Sequence, residues 1–428
     1  METIPHSLNI RWQAAICLAI GLTGFGVHQA LAWQEANVLP VPIESSRPLT
    51  SEDRQLARNA WKYFEVNRLK TGLVSSAAKF PATTMWDAAS QLAGMTAARE
   101  LDLLPQAEFD RWMAQTLSSL AKIPLYKNEL PNKAYNAETL QPVSYGKLDK
   151  PEEIGFSAID LGRLAIWLDI VAHRYPQHAQ ACKNVTAHWQ LTRLEKDGSL
   201  MGVHIEKGKE EWNQEGRLGY EQYAAYGLKK LGVVAKNALN PQANEQNVDV
   251  MGVKIPADKR SSYHNYVTSE PYVLDGLETG FKALPAEYAG RVLQAQTRRA
   301  QATGQFTAWS EDNLDRAPWF VYNSVHVDGK NWKTLNPGGK DSDKFRTSST
   351  KTAVAWQMLF GNRYTEANYK GLRWLADSDR GVFGGVYEET QEINRSLTLN
   401  TNGQILEALL YSQIGSIPLE DWAHGKTR

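Results

Sequence analysis

Cysteine is almost absent from this chain of 428 residues, which contains only Cys17 and Cys182. Cys17 falls in an N-terminal segment that we expect to be removed, so the remaining chain would keep one thiol and no intramolecular disulfide. The sequence also lacks cysteine and histidine clusters at zinc spacing, a phosphate-binding glycine loop and a G-x-S-x-G elbow. We therefore predict no metal site and no cofactor.

Net charge is absent as well, because 47 Lys and Arg residues balance 47 Asp and Glu residues. This balance argues against nucleic acid or an anionic membrane as the main partner. The hydrophobic content of 42% is sufficient for a large globular core. The chain has 14 Trp and 17 Tyr residues, many of them in polar stretches. Such aromatic residues suit an oligo- or polysaccharide ligand, although large helical cores also use many of them.

The N-terminus has the features of an export signal. No charged residue occurs between Arg11 and Glu35, and Ala30-Leu-Ala32 forms a cleavage pattern. We predict a signal peptide over residues 1–32, an extended proline-containing linker over 33–50 and a main domain over 51–420. The main domain is then expected to lie in the periplasm. If the segment stays uncleaved, it is the only part expected to contact the membrane.

Helical segments alternate with long loops along the rest of the chain. Helices that begin near residues 86, 157, 217, 269, 348 and 400 are apolar on nearly all sides, whereas those near 51, 107, 177, 233, 285 and 365 carry more charge. A helix that is apolar all round must be covered on every side. The alternation predicts an all-α fold, an (α/α)6 toroid whose long loops gather on the cleft side, at the N-termini of the inner helices.

The organising stretch is residues 212–232, where a polar loop leads into a helix. Glu221 lies one turn inside that helix, near the positive end of its dipole. The acids of this stretch can also be read as ordinary helix-initiating residues. A concave cleft lined by aromatic residues and carboxylates is the default position for a binding site.

Seven blocks resemble the signature segments of a bacterial exported family of unknown function, over roughly residues 50 to 415. These blocks are Met85-Trp-Asp87, Phe156-Ser-Ala-Ile-Asp-Leu-Gly-Arg-Leu164, Glu215-Gly-Arg-Leu-Gly-Tyr-Glu-Gln-Tyr-Ala-Ala225, Ser269-Glu-Pro-Tyr272, Thr307-Ala-Trp-Ser-Glu-Asp312, Ser349-Thr-Lys-Thr-Ala353 and Asn400-Thr-Asn-Gly403. The Ser157 and Tyr220 helices are more distantly similar to those of the glycoamylase-like β-1,2-glucanases. That resemblance implies an exported (α/α)6 glycoside hydrolase acting on a β-glucan or exopolysaccharide.

Glycoside hydrolysis needs one carboxylic acid and one carboxylate on opposite sides of the bond. By the resemblance, Asp160 and Glu221 match cleft carboxylates, and we expect Glu221 to be the acid provided that Arg217 does not pair with it. We expect Arg163 to pair with Asp160, its neighbour one helical turn earlier. The last inner helix opens with amides where a glucanase would place a carboxylate, so the base is expected to be Asp312 or Glu270.

The remaining candidate residues lie in the predicted cleft-side loops and first helical turns, where they would contact sugar. They are Trp86, Asp87, Trp212, Glu215, Arg217, Tyr220, Tyr272, Trp309, Tyr387, Glu388, Asn400 and Asn402. His204, His264 and His326 could contact ligand too, but ordinary surface positions explain these isolated histidines better. The alternative to an enzyme is a non-catalytic glycan-binding protein or assembly partner of an exopolysaccharide system.

Overall fold

The computed structural model describes residues 36–45, 47–260 and 265–427. The predicted signal peptide, the first residues of the predicted linker and His264 lie outside these ranges. Helices provide the framework: α1 (Ser51–Asn67), α2 (Met85–Glu100), α3 (Gln106–Leu120), α4 (Ala158–Arg174), α5 (Ala179–Thr186), α6 (Tyr220–Lys229), α7 (Glu270–Leu274), α8 (Ala286–Thr303), α9 (Thr350–Phe360), α10 (Arg363–Leu372), α11 (Leu399–Gln413) and α12 (Leu419–Ala423). A π-helical turn, Asp275–Thr279, extends α7.

The long segments predicted as loops contain small antiparallel sheets, so the all-α prediction describes the framework and misses these hairpins. In these segments, backbone N–H and C=O groups form hydrogen bonds between neighbouring strands. The strands are β1 (Ala82–Thr83), β2 (Leu125–Tyr126), β3 (Leu130–Pro131), β4 (Tyr135–Asn136), β5 (Glu195–Lys196), β6 (Ser199–Glu206), β7 (Lys209–Gln214), β8 (Glu245–Val250), β9 (Val253–Asp258), β10 (Glu311–Asn313), β11 (Phe320–Val327), β12 (Lys330–Leu335), β13 (Thr347–Ser349), β14 (Ala376–Asp377), β15 (Gly381–Val382), β16 (Gly385–Tyr387) and β17 (Ile393–Asn394). The sheets are β1–β4, β2–β3, β5–β6–β7, β8–β9, β10–β11–β12, β13–β16–β17 and β14–β15.

The six apolar helices pack against one another in a closed order. Helix α2 contacts α4 and α11, α4 contacts α6, and α9 contacts α7 and α11. The Tyr223 hydroxyl of α6 donates to the carboxylate of Glu278, in the π-helical turn after α7, and so completes the order. The more polar helices lie behind them, with α1 on α11, α3 on α2, α5 on α4, α8 on α7 and α10 on α9.

The helix expected near residue 233 does not form. Helix α6 ends at Lys229, and the chain turns at Gly232, whose φ is +92°. Asn237 then donates its N–H to the carbonyl of Gly198 in the turn of the β5–β6 hairpin. The short helix α12, which was not among the predicted helices, packs instead on α4 and on the π-helical turn.

Two glycines allow α4 and α6 to approach closely. A Cβ atom added at Gly227 would lie 2.0 Å from the carbonyl oxygen of Gly162, and one added at Gly162 would lie 2.5 Å from the Cα of Ala224. Real side chains do not tolerate such distances, so only glycine fits at either position. This contact brings the first turns of α4 and α6, which carry Asp160 and Tyr220, to the same end of the fold.

The described part of the predicted linker consists of turns, bends and irregular backbone, and it is fixed to the main domain. The carbonyl oxygen of Ala36 accepts hydrogen bonds from Gln294 Nε2 at 3.0 Å and Arg298 Nε at 2.9 Å. The N–H of Ile43 donates to the carbonyl of Leu359 at 2.8 Å. None of the helices in the described ranges is both long and apolar enough to cross a bilayer.

Candidate functional site

The first turns of α2 and α6 meet at one end of the fold. The rings of Trp86 and Tyr220 lie 6.3 Å apart, and the Trp86 ring is also 6.3 Å from that of Tyr223. The sequence prediction required Trp86 and Tyr220 to share one end, and this is confirmed. The carboxylates described next surround this aromatic contact.

Two of these carboxylates also fix the helix starts beside which they lie. Asp87 Oδ2 accepts from the backbone N–H and the hydroxyl of Thr84, at 3.1 and 2.9 Å, in a capping box at α2. Glu215 Oε2 accepts from the N–H of Ala158 at 2.6 Å, at the start of α4. Burial is the largest influence on both carboxyls and raises the pKa of each.

Asp160 lies in the first turn of α4 beside them and is half-buried. The Ser157 hydroxyl caps its backbone N–H, but among the described residues its side chain has no hydrogen-bond or ion-pair partner. Burial, followed by the charges of Glu215 and Asp87, raises its pKa to about 8. Asp160 is therefore largely protonated at neutral pH.

Glu311, on β10, faces the same space and is half-buried. Its Oε2 accepts a hydrogen bond from the Tyr220 hydroxyl at 2.6 Å. Burial and the charge of Glu270 raise its pKa to about 7, and its own charge contributes to the raised pKa of Asp160. We call the region formed by Asp87, Asp160, Glu215 and Glu311 the acidic cleft.

Tyrosines line the open side of the acidic cleft. Tyr145, which is 63% exposed, has its pKa raised by burial of the hydroxyl and by Asp160, Glu215 and Asp87. The pKa of Tyr322 is raised by burial and by Glu311. Its ring stacks on that of Tyr266, with centroids 4.0 Å apart, and Phe320 lies edge-on at 5.1 Å. An aromatic surface therefore leads away from the carboxyls along β11.

Glu221, the acid predicted from the sequence, lies below the cleft rather than in it. Its side chain is fully buried, and its Oε2 forms an ion pair with Arg260 Nη2 at 2.6 Å. Its Oε1 accepts from the N–H of Leu200 and from Gln214 Nε2, at 3.2 and 2.9 Å. The prediction required Glu221 to be free of an ion pair, and that condition is not met, although the partner is Arg260 and not Arg217.

The two candidates for the base are also held by the protein. Glu270 is fully buried, pairs with Lys351 Nζ at 2.7 Å and accepts from Ser310 Oγ at 2.9 Å. Asp312 accepts from the hydroxyls of Ser349 and Thr347, each at 2.7 Å, and burial raises its pKa to about 7. Both carboxylates are hydrogen-bonded to the loops around the cleft and stabilise these loops.

The expected ion pair between Arg163 and Asp160 does not form. Arg163 is fully buried and donates to Glu278 Oε1 at 3.2 Å and to Glu407 Oε2 at 3.3 Å. Its Nη1 donates to Ser90 Oγ at 2.7 Å, and its guanidinium lies 4.8 Å from the Trp86 ring. The arginine points inwards from α4 because two carboxylates of neighbouring helices lie there, and Asp160 is left without an ion-pair partner among the described residues.

The profile of the family described as "Protein of unknown function (DUF3131)" matches residues 55–415. The chain belongs to the DUF3131 family. No curated protein gave a significant sequence match.

Solved structures resemble this DUF3131 protein over most of its length. They include a putative glucoamylase from Bacteroides caccae ATCC 43185, with 11% identity, 87% of this chain and 94% of that chain covered, and a TM-score of 0.63. The endo-β-1,2-glucanase from Chitinophaga pinensis, in complex with sophorotriose and glucose, has 10% identity and a TM-score of 0.63. The match covers 88% of this chain and 95% of that chain. The endo-β-1,2-glucanase from Talaromyces funiculosus, in complex with sophorose, has 11% identity and a TM-score of 0.55. The match covers 84% of this chain and 83% of that chain. At such identities the likeness establishes the mostly helical, glycoside hydrolase-like fold.

Several of the predicted sugar-binding residues of the DUF3131 chain lie away from the acidic cleft. Glu388 pairs with Arg299 at 2.5 Å, and Trp309 is fully buried beneath that same arginine. The Tyr387 hydroxyl donates to Asp315 Oδ1 at 2.8 Å. Asn402 accepts from the N–H of Val382 at 2.8 Å. These contacts stabilise loops.

The others lie closer to the cleft but are engaged with protein atoms. Asn400 Nδ2 donates to Glu270 Oε1 at 3.2 Å. Arg217 donates to Gln214 and to the carbonyl of Gly216. Trp212 is 37% exposed and packs on Phe156, and Tyr272 is buried. Of the twelve predicted contacts, Trp86, Asp87, Glu215 and Tyr220 belong to the cleft, which also contains three residues not predicted to act there: Glu311, Tyr145 and Tyr322.

Proposed function

We propose that this protein is an exported, periplasmic glycoside hydrolase with an (α/α)6 toroid, acting on a β-glucan or exopolysaccharide. The closed order of six apolar helices and the covering helices behind them support the toroid. The similarity to glucanase structures that hold sophorose or sophorotriose supports a β-glucan as the first class of substrate to test. The predicted signal peptide supports export.

The observation that carries the proposal is the state of Asp160. A half-buried carboxyl that has no hydrogen-bond partner among the described residues and a pKa of about 8 holds its proton at neutral pH and can deliver it to a ligand. In glycoside cleavage, that proton goes to the glycosidic oxygen as the bond to the anomeric carbon breaks. We assign Asp160 as the general acid.

Glu311 is the second carboxylate of the proposed mechanism. With a pKa of about 7 it is about half ionised at neutral pH, and the Tyr220 hydroxyl stabilises its ionised form. An ionised Glu311 would take a proton from the water that attacks the anomeric carbon. Asp87 and Glu215, whose carboxylates cap helices, would accept hydrogen bonds from sugar hydroxyls through their remaining lone pairs.

The aromatic residues supply the sugar-binding surface. Carbohydrate rings present C–H faces that stack on aromatic rings, while tyrosine hydroxyls bond the sugar hydroxyls. Trp86 and Tyr220 lie at the base of the acidic cleft, and the half-buried rings of Tyr322 and Phe320 extend the surface outwards. The length of this surface favours a substrate of several sugar units.

The test is hydrolysis by the mature chain of a panel of β-1,2-, β-1,3-, β-1,4- and β-1,6-glucans and bacterial exopolysaccharides, followed by chromatography of the products. Asp160→Asn and Glu311→Gln should each reduce turnover by about a hundredfold or more, the scale expected for an acid or base. Asp102→Asn is the matched control, because its 94% exposed side chain lies just beyond the C-terminus of α2, at the opposite end of that helix from Asp87. Normal turnover in both cleft variants would refute the proposed mechanism.

The engagement of Glu221, Glu270 and Asp312 in protein contacts favours one alternative, a non-catalytic glycan-binding or assembly partner of an exopolysaccharide system. Such a protein would bind glycans through the aromatic surface without cleaving them. A glycan array with the mature chain, compared with the hydrolysis panel, separates the two: binding without any product supports the alternative.

A further inference from the structure

A second cluster of polar side chains lies at the C-terminal end of α4, away from the acidic cleft. Asp169 and His173 are four residues apart on α4 and so share one face of the helix. His424, which directly follows α12, approaches that face from the other end of the sequence. The carboxylate and the two imidazoles offer ligand atoms that all lie within 4.8 Å of one another.

Both imidazoles converge on the same carboxylate. His424 Nε2 lies 2.9 Å from Asp169 Oδ2, and His173 Nδ1 lies 3.3 Å from Asp169 Oδ1. The two rings are themselves in contact, with centroids 3.9 Å apart. Tetrahedral zinc with bonds of about 2.0–2.1 Å separates its ligand atoms by roughly 3.3 Å, and the two nitrogen–oxygen distances here are close to that value.

We propose that Asp169, His173 and His424 form a binding site for Zn²⁺ or a similar divalent transition metal. Two imidazole nitrogens and one carboxylate oxygen are a donor set that these metals favour, and a water would complete the tetrahedron. The side chains of His173 and His424 are 50% and 26% exposed, so an ion can enter from solvent. A bound metal would join α4 to the end of α12.

The neighbouring cation does not block the site. Lys230 Nζ lies 3.1 Å from Asp169 Oδ2, but it also pairs with Glu420 Oε1 at 2.5 Å. Glu420 would therefore keep the charge of Lys230 balanced when Asp169 turns to the metal. His173 Nδ1 lies 2.9 Å from the backbone oxygen of Asp169, a hydrogen bond that metal binding would replace.

The sequence alone does not indicate this site because His424 lies 255 positions from Asp169. Asp-x-x-x-His alone is too common on helices to indicate a metal. Only the packing of α12 against α4 brings His424 to the pair.

The test uses the mature chain without a histidine tag, freed of metal with a chelator that is then removed. Isothermal titration with ZnCl₂ should show one ion bound with a Kd of about 10 μM or tighter, and the metal should raise Tm by a few °C. Co²⁺ should give the visible spectrum of a tetrahedral complex. MgCl₂ should have no such effect, because Mg²⁺ prefers octahedral oxygen ligands.

Variants assign the ligands. His173→Ala and His424→Ala should each weaken Zn²⁺ binding at least about tenfold and abolish the gain in Tm, whereas His188→Ala, an exposed histidine outside the cluster, should not. Asp169→Asn keeps the shape and should weaken binding as well. Equal Zn²⁺ affinity in wild type and the two cluster variants, or no Zn²⁺ binding by the wild type, would overturn the proposal and leave Asp169 and the histidines as an ion-paired cluster.

Discussion

Tyr220 donates a hydrogen bond of 2.6 Å to Glu311 and so joins the first turn of α6 to strand β10 across the acidic cleft. A hydrogen bond to the ionised form of a carboxyl lowers its pKa. Tyr220 therefore opposes the burial that raises the pKa of Glu311 to about 7. If Glu311 must be ionised and Asp160 protonated, activity should follow a bell-shaped pH profile with its maximum between about pH 7 and pH 8.

Replacing Tyr220 with Phe keeps the ring beside Trp86 but removes the hydroxyl. The pKa of Glu311 should rise, and the acidic limb of the kcat/KM profile should move to higher pH by about half a unit to one unit. Tyr226→Phe is the matched control, because Tyr226 lies on the same helix and donates to Glu420, outside the cleft. An unchanged acidic limb in Tyr220→Phe would argue against Glu311 as the base.

The roles of Glu221 and Asp160 can be separated by one pair of variants. Glu221→Gln removes the charge that faces Arg260 in the interior, so unfolding free energy should fall by about 1–3 kcal/mol while turnover stays within about threefold of wild type. Asp160→Asn should show the reverse, with turnover lost and the fold kept. Denaturant unfolding and hydrolysis rates give both readouts. A hundredfold loss of turnover in Glu221→Gln with unchanged stability would restore the sequence-based assignment of Glu221 as the acid.

Local signals explain why most of the framework could be predicted from the sequence. Thr84 and Asp87 form the capping box of α2, and Ser157 caps α4, within three residues of each helix start. Such signals, together with apolar periodicity, require no knowledge of the fold. They also led correctly to Trp86 and Tyr220 at one end of the molecule.

The pairing of the carboxylates could not be predicted, because it depends on contacts distant in sequence. Arg260 lies 39 positions after Glu221, in a stretch without helical periodicity. Glu311 and Asp312 are neighbours, and side chains of adjacent strand residues point to opposite faces. The register of β10 with β11 directs Glu311 to Tyr220 in the cleft and Asp312 to Ser349 behind it. Without that register, the sequence pointed to Asp312 as a candidate for the base and not to Glu311.

The buried ion cluster of Arg163 makes a prediction about stability. Arg163→Met removes the cation between Glu278 and Glu407, both fully buried. Leaving buried carboxylates without their partner should lower the unfolding free energy by about 3–5 kcal/mol. Adding Glu278→Gln to this variant should recover part of the loss. Arg111→Met, on the exposed side of α3, should change it by less than about 0.5 kcal/mol. A loss no larger than that of the control would show that the cluster contributes little to stability.

Asp160 should also leave a signature in the pH dependence of folding. Its pKa is raised from the ordinary 3.8 to about 8, so above pH 4 the folded protein binds a proton there that the unfolded chain releases. The stability linked to Asp160 is therefore complete below about pH 4 and is lost progressively as pH rises to about 8. Asp160→Asn does not titrate and escapes this loss.

The Tm of Asp160→Asn should accordingly rise relative to wild type between pH 4 and pH 8, reach an advantage of about 2–5 °C and stay constant above that pH. Contact of the carboxyl with water keeps the effect this small. Scanning calorimetry at several pH values measures it, with Asp102→Asn expected to follow the wild type throughout. A pH-independent difference would mean that the Asp160 carboxyl is ionised at neutral pH, and it would then be unfit to act as the proton donor.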